Sequence, residues 1–138
     1  MRLAVISFFL ALPVLAHADE MCFEAAARRY HVPVELLKAI SKVESNHNPA
    51  AVNVNSNGSR DIGHMQINSF WLPVLAKYGI TEKTLKDPCI NTNIGAWILA
   101  QNIASHGLNW KAVGAYNAVT EYKQIIYARK VVSVLASR

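Results

Sequence analysis

Glu44 is the residue of this chain whose type and position best suit chemistry. It lies four residues after Ile40 and seven after Leu37. On a helix that spacing puts it on the apolar stripe rather than on the wet face. A carboxyl group facing a core is disfavoured as an anion, so its pKa rises. The last helical turn presents partial negative charge from the backbone dipole, which acts in the same direction. A carboxylic acid kept protonated near neutral pH is a general acid of the kind that glycosidic cleavage needs. The plain alternative is a glutamate at a helix end that bends into solvent. Ser45 beside it can donate a hydrogen bond to the carboxylate, or can be an ordinary helix-terminal serine. The stretch that follows, 46–61, is dense in Asn, Ser and Gly. It reads as a loop, and its amide side chains suit a carbohydrate groove. Asp61 lies 17 residues after Glu44, across that loop. It is either a second acidic group of the same site or a turn aspartate bonded to its own backbone or to Arg60.

Other chemistries find little support. The five histidines sit in no nucleophile context such as G-x-S-x-G. Neither cysteine has metal-ligand spacing around it, and there is no glycine pattern for a cofactor. No metal and no cofactor are expected.

The elements that must position these residues are mostly helices. A short alanine-rich helix is predicted over 21–30, followed by a break at His31-Val32. Pro33 suits a first helical position, and 33–45 then reads as an amphipathic helix carrying Leu36, Leu37, Ile40 and Val43 inward. Asn68 can cap a helix over 69–78 that Gly79 ends, with Pro73 disturbing its first turn. Asp87 caps a long helix from Pro88 to about His106-Gly107, with Ile90, Ile94, Trp97, Ile98 and Ile103 mostly at helical spacing. Asn109 caps another, carrying Trp110, Val113 and Tyr116. A last helix over 121–135 turns Ile125, Ile126, Val131 and Leu135 inward. Strand signal is minimal, and there is no internal repeat or linker.

Three short motifs line up in order: Glu44-Ser45, then Gly63-His64-Met65-Gln66 continued by Ile67-Asn68, then Ala115-Tyr116-Asn117-Ala118. Together they resemble the soluble lytic transglycosylase family, with its Glu-Ser, Gly-Leu-Met-Gln and Ala-Tyr-Asn signature. The resemblance spans roughly 22–131. Ser59-Arg60-Asp61-Ile62-Gly63 and Asp87-Pro88-Cys89 extend it to the small members associated with secretion systems, conjugation and pili. It implies a mainly α, lysozyme-like single domain with a glycan-binding cleft. It also implies cleavage of the β-1,4 bond between N-acetylmuramic acid and N-acetylglucosamine, with a 1,6-anhydro product. Glu44 would serve as acid and then base, with Ser45 orienting it. Met65 and Gln66 would line the cleft, Tyr116 would reach toward Glu44, and Asn117 would bond the sugar. Tyr127 resembles a further tyrosine found late in the family.

Two departures stand out. His64 occupies the usual leucine position, either as a group beside the cleft or as a tolerated substitution. Val119 replaces a common glycine. In lysozymes a second carboxylate stabilises the cationic transition state or acts as nucleophile, a part Asp61 would fill in a hydrolytic alternative. A noncatalytic glycan-binding module is the other alternative, and intact Glu44 argues against it.

Of the 138 residues, the first eighteen read as an export signal. Arg2 supplies the positive end, an apolar run follows, and Ala16-His17-Ala18 is a small-x-small cleavage site. The run is shorter than the roughly 20 apolar residues a membrane span needs. The domain at 19–138 is then expected in the periplasm or outside the cell, without a stable membrane anchor and as a monomer. Without Arg2 there remain 13 basic and 9 acidic residues. They are scattered, which speaks against nucleic acid and allows an anionic polymer such as peptidoglycan. Components of an envelope-spanning secretion or pilus system are the possible protein partners. Two cysteines in an exported chain suggest a Cys22–Cys89 disulfide, with two buried thiols as the alternative.

Overall fold

A computed structural model gives the structure of residues 20–138. The export signal expected over 1–18 lies outside the described residues. Among those residues the chain forms seven α-helices, two single 3-10 turns and one small antiparallel sheet. The mainly helical, lysozyme-like architecture expected from the sequence is what it adopts.

Helix α1 (Phe23–Tyr30) buries Phe23, Ala26 and Ala27 and ends on His31, whose left-handed φ of 55° reverses the chain. Helix α2 (Val34–Ser45) follows, with Pro33 one position earlier than expected, as an extended N-cap. Leu37, Ala39 and Ile40 on α2 are wholly buried. Each large apolar side chain there contributes about 1.5–3 kcal/mol through burial. The helix stops on two consecutive left-handed residues, Asn46 and His47, with φ of 55° and 62°. Asparagine tolerates that region better than most residues, and the Asn46 N–H donates to the carbonyls of Ser41 and Lys42. The chain therefore leaves the helix directly after Glu44 and Ser45.

The stretch read as loop is in part a sheet. Strands β1 (Val52–Val54), β2 (Arg60–Ile62) and β3 (Ile67–Asn68) pair antiparallel in that order. Asp61 stands opposite Asn53 on one side and Asn68 on the other. These strands are two or three residues long and hold Asn and Asp, types that disfavour strands. What makes them pair is the Asn55–Ser59 hairpin turn, closed by an N–H···O bond of 2.8 Å.

The helix expected over 69–78 is broken, because Pro73 lacks an N–H and prevents a continuous ladder. A 3-10 turn at Ser69–Trp71, capped by the Asn68 side chain, leads into α3 (Leu72–Leu75), a second 3-10 turn at Ala76–Tyr78 and left-handed Gly79. Helix α4 (Glu82–Leu85), with a Thr81–Thr84 capping box, was not anticipated.

Helix α5 (Pro88–His106) begins on the Asp87 cap as expected and stops at Gly107, φ 81°. It buries Asn91, Thr92, Ile94, Gly95, Ala96, Ile98 and Leu99, nearly all round, and so runs through the core. Helix α6 (Trp110–Gly114) is capped by Asn109 but ends two residues before Tyr116, which lies in the following turn. Helix α7 (Glu121–Ala136) turns Tyr127, Ala128 and Val131 inward. Ile125 and Ile126, expected inside, are exposed, and Leu135 is only half-buried. Helix α7 packs against α2 and α6, and its Tyr127 reaches Glu44 on α2. A disulfide between Cys22 and Cys89 joins the start of α1 to the first turn of α5. No helix of the described residues is long and apolar enough to cross a membrane.

Candidate active site

Glu44 lies half-buried in a cleft of about 760 Å³. One wall is the small sheet with Asp61, Gln66 and Asn68; the other is α5 and the 115–119 turn with Tyr116 and Asn117. Burial pushes the Glu44 carboxyl up from 4.5 to about 7. A hydrogen bond from Tyr127 works against this, the negative charge of Asp61 adds to it, and the ammonium of Lys130 lowers it. Desolvation therefore wins. The carboxyl is half protonated near neutral pH and able to give up or accept a proton.

The Tyr127 hydroxyl donates to Glu44 Oε1 at 2.6 Å. Burial and the facing carboxylate hold this phenol well above its ordinary pKa, so it stays a donor. The motif reading gave Tyr116 that reach. Instead the Tyr116 hydroxyl donates to the Met65 carbonyl at 2.9 Å. It passes beside Gly95, where a Cβ would lie 3.0 Å from the phenol oxygen and 2.6 Å from Met65 Cε. Tyr116 still lines the cleft, close enough to Glu44 for that charge, together with burial, to raise its own pKa.

Met65 does not line the cleft. Its side chain is wholly buried in the core, because the left-handed Gly63 and Gln66 on either side turn it inward. Gln66 does line it, pinned by a bond to the Gly63 carbonyl at 2.9 Å and one from Asn53 at 2.6 Å. Ser45 is not bonded to Glu44. Its hydroxyl donates to the His64 carbonyl at 2.8 Å and accepts from the Asn48 N–H. It thus ties the end of α2 to the 63–66 turn.

His64 is likewise outside the cleft. It is fully buried, against the Phe23 ring, with Ser41 on one ring nitrogen at 2.8 Å and Thr92 and the Pro88 carbonyl on the other. Leucine at this place would offer none of these bonds. Val119 is almost fully exposed at the rim.

Asp61 faces the cleft and accepts from the amides of Asn55 and Asn68, at 3.0 and 2.8 Å. Arg60 is engaged elsewhere, in a two-pronged pair with Glu82. The reading of Asp61 as a turn residue paired with Arg60 therefore drops away. Asn117 is exposed at the cleft with no side-chain bond to any described residue.

Several residues that build the site carried no sequence signal. Asn91 on α5 is wholly buried. Its oxygen accepts from the Met65 N–H at 2.8 Å, and its amide donates to the Ile62 and Leu85 carbonyls at 2.9 Å each. It packs so closely on Gly63 that a Cβ there would lie 2.3 Å from its nitrogen. Asn55 was visible only as part of a polar stretch, and Asn68 only as a helix cap and the end of the second motif. Trp71, edge-on to Trp97 at 5.3 Å, and Asn102 also line the cleft. Among the described residues no cluster of three or more His, Cys, Asp or Glu side chains could hold a metal ion.

A helical domain with one protonatable carboxyl held in an amide-lined groove is a glycan-cleaving domain of the lysozyme-like class. Comparison with known proteins narrows this. Residues 21–127 match the Transglycosylase SLT domain family. The chain is 45% identical over 114 residues to Protein IpgF of Shigella flexneri, covering 82% of this chain and 74% of that protein. It is 46% identical over 104 residues to Invasion protein IagB of Salmonella typhi, covering 75% of this chain and 65% of the relative. It is 41% identical over 105 residues to X polypeptide of Escherichia coli strain K12, covering 75% of this chain and 62% of the relative. The chain belongs to the SLT transglycosylase family and is a peptidoglycan lytic transglycosylase.

Proposed function

We propose that this enzyme is exported through a cleaved signal at 1–18 and cuts the β-1,4 bond between N-acetylmuramic acid and N-acetylglucosamine, releasing 1,6-anhydro ends. The observation that carries the reading is the Glu44 carboxyl, half-buried in the cleft and, among the described residues, bonded only to Tyr127. As an acid, Glu44 gives its proton to the leaving glycosidic oxygen. As a base, it then takes the proton of the muramic 6-hydroxyl, whose oxygen attacks the anomeric carbon. The 6-hydroxyl takes the place of water and the substrate's own N-acetyl group stabilises the cationic intermediate, so a single carboxyl suffices, unlike the carboxylate pair of ordinary glycosidases. Gln66, Tyr116 and Asn117 hold the sugars, Tyr127 orients Glu44, and Ser45 acts indirectly through the 63–66 turn.

Asp61 supports a second reading. It is a carboxylate in the same cleft, held by two amides, with its charge felt by Glu44. Positioned to stabilise a cationic sugar, it would allow water to complete the reaction as in a lysozyme. Digestion of purified sacculi with wild type and Glu44→Gln, read by mass spectrometry, decides between them. Anhydro products are lighter than hydrolytic ones by one water. Products one water heavier support the Asp61 reading, and no soluble muropeptides at all would reject both. A role in opening the wall for a secretion, conjugation or pilus apparatus fits the likeness to an invasion protein.

A further inference from the structure

We infer that Lys123 and Lys130, on the face of α7 that carries Tyr127, form a binding site for the carboxylates of the peptide stem attached to the muramic acid being cleaved. The inference rests on the glycan-cleaving reading of the cleft and adds to it a preference for peptide-bearing strands.

The spacing supplies the first argument. Lys123, Tyr127 and Lys130 stand at positions i, i+4 and i+7 of one helix, which places them on one face. Tyr127 is the buried member and reaches Glu44. Lys123 lines the cleft one turn before it. Lys130, one turn after it, lies near enough to Glu44 for its charge to act on that carboxyl. Both side chains are exposed, and among the described residues neither ammonium has an ion-pair partner.

The chemistry supplies the second. The acidic neighbours within the cleft are Glu44 and Asp61, and Asp61 is already held by two amides on the opposite wall. Lys123 in the cleft and Lys130, two turns further along the same face of α7, are therefore available to an anion carried by the substrate. The glycan backbone is neutral. Its anionic groups are the carboxylates of the peptide on the lactyl ether of muramic acid, the sugar whose anomeric carbon faces Glu44. An exposed ammonium–carboxylate pair contributes a modest, salt-screened amount. Removing both lysines therefore corresponds to about a three- to tenfold weakening.

The test compares soluble peptide-bearing peptidoglycan strands with the same strands stripped of peptide by an amidase and then capped as the methyl amide at the lactyl carboxylate that the amidase frees, so that they carry no anion. Wild type, Lys123→Gln/Lys130→Gln and Lys123→Arg/Lys130→Arg are measured below pH 6, where Glu44 is protonated in each. The expected result at low ionic strength is a three- to tenfold rise in KM for the glutamine variant on peptide-bearing strands. Its KM on stripped strands and its melting temperature stay unchanged, the arginine variant behaves as wild type, and high salt erases the difference. An unchanged KM on peptide-bearing strands, or an equal rise on both substrates, overturns the inference. If wild type shortens neither substrate, the reading of the cleft has failed as well. If it cleaves both but the lysine variants make no distinction, only this inference has failed.

Discussion

Replacing Tyr127 by phenylalanine removes one hydroxyl and keeps the ring that fills the core against α2. The lost atom donates to Glu44 Oε1 at 2.6 Å, and it lowers a carboxyl that burial holds at about 7. Hydrogen bonds to a charged group contribute about 1.5–3 kcal/mol. Glu44 is half open to the cleft, so water takes over part of that bond, and about 1.4 kcal/mol is the expected loss. That corresponds to about one pH unit. The bond favours the charged form, so its removal raises the carboxyl further. The general acid must be protonated in the free enzyme, so activity falls as pH rises through the Glu44 pKa. The alkaline limb of kcat/KM on purified peptidoglycan should therefore lie near pH 7 in wild type and move up by about one unit in Tyr127→Phe. Tyr116→Phe serves as the control, since that hydroxyl is bonded to the Met65 carbonyl. A limb that stays in place or moves down in Tyr127→Phe would refute the assignment of Glu44 as the titrating acid.

Asp61→Asn removes a negative charge that raises Glu44, so the same limb should move down. Turnover on sacculi should also fall while circular dichroism is unchanged; unaltered turnover would exclude a catalytic part for Asp61. Reducing the Cys22–Cys89 bridge opens a loop of 67 residues, and denaturant unfolding should show a loss of about 2–4 kcal/mol. His64→Leu supplies the family's usual residue but strips hydrogen bonds from Ser41 and Thr92. Because Ser41 keeps His47 and Thr92 keeps the Pro88 carbonyl, a loss of about 1–2 kcal/mol is expected in the same assay. A stability equal to wild type would show that the buried network contributes nothing.

Much of the helical framework was legible because its signals are local. Asp87 and Pro88 start α5 and Gly107 stops it, as capping chemistry dictates within a few residues. The amphipathic spacing of Leu37, Ile40 and Glu44 was enough to single out the carboxyl that burial in the cleft raises. The sheet escaped notice because strands as short as Arg60–Ile62 are made by a partner across a turn, not by their own residue types. The inward face of α7 is not legible in the sequence for a related reason. Ile125 and Ile126 are apolar, but which side of a helix is buried depends on where its neighbours stand.

The placing of Glu44 on an apolar stripe, the order of the three motifs and the helix caps all follow from the chain itself, through interactions spanning a turn or two. The partners of those residues do not. That Tyr127 rather than Tyr116 meets Glu44, that Met65 and His64 turn into the core, and that Asn91 clamps the 63–66 turn each join residues 23 to 83 positions apart. Contacts of that range arise only when the helices pack, since a side chain's partner is set by the shape of the assembled core and not by its neighbours along the chain.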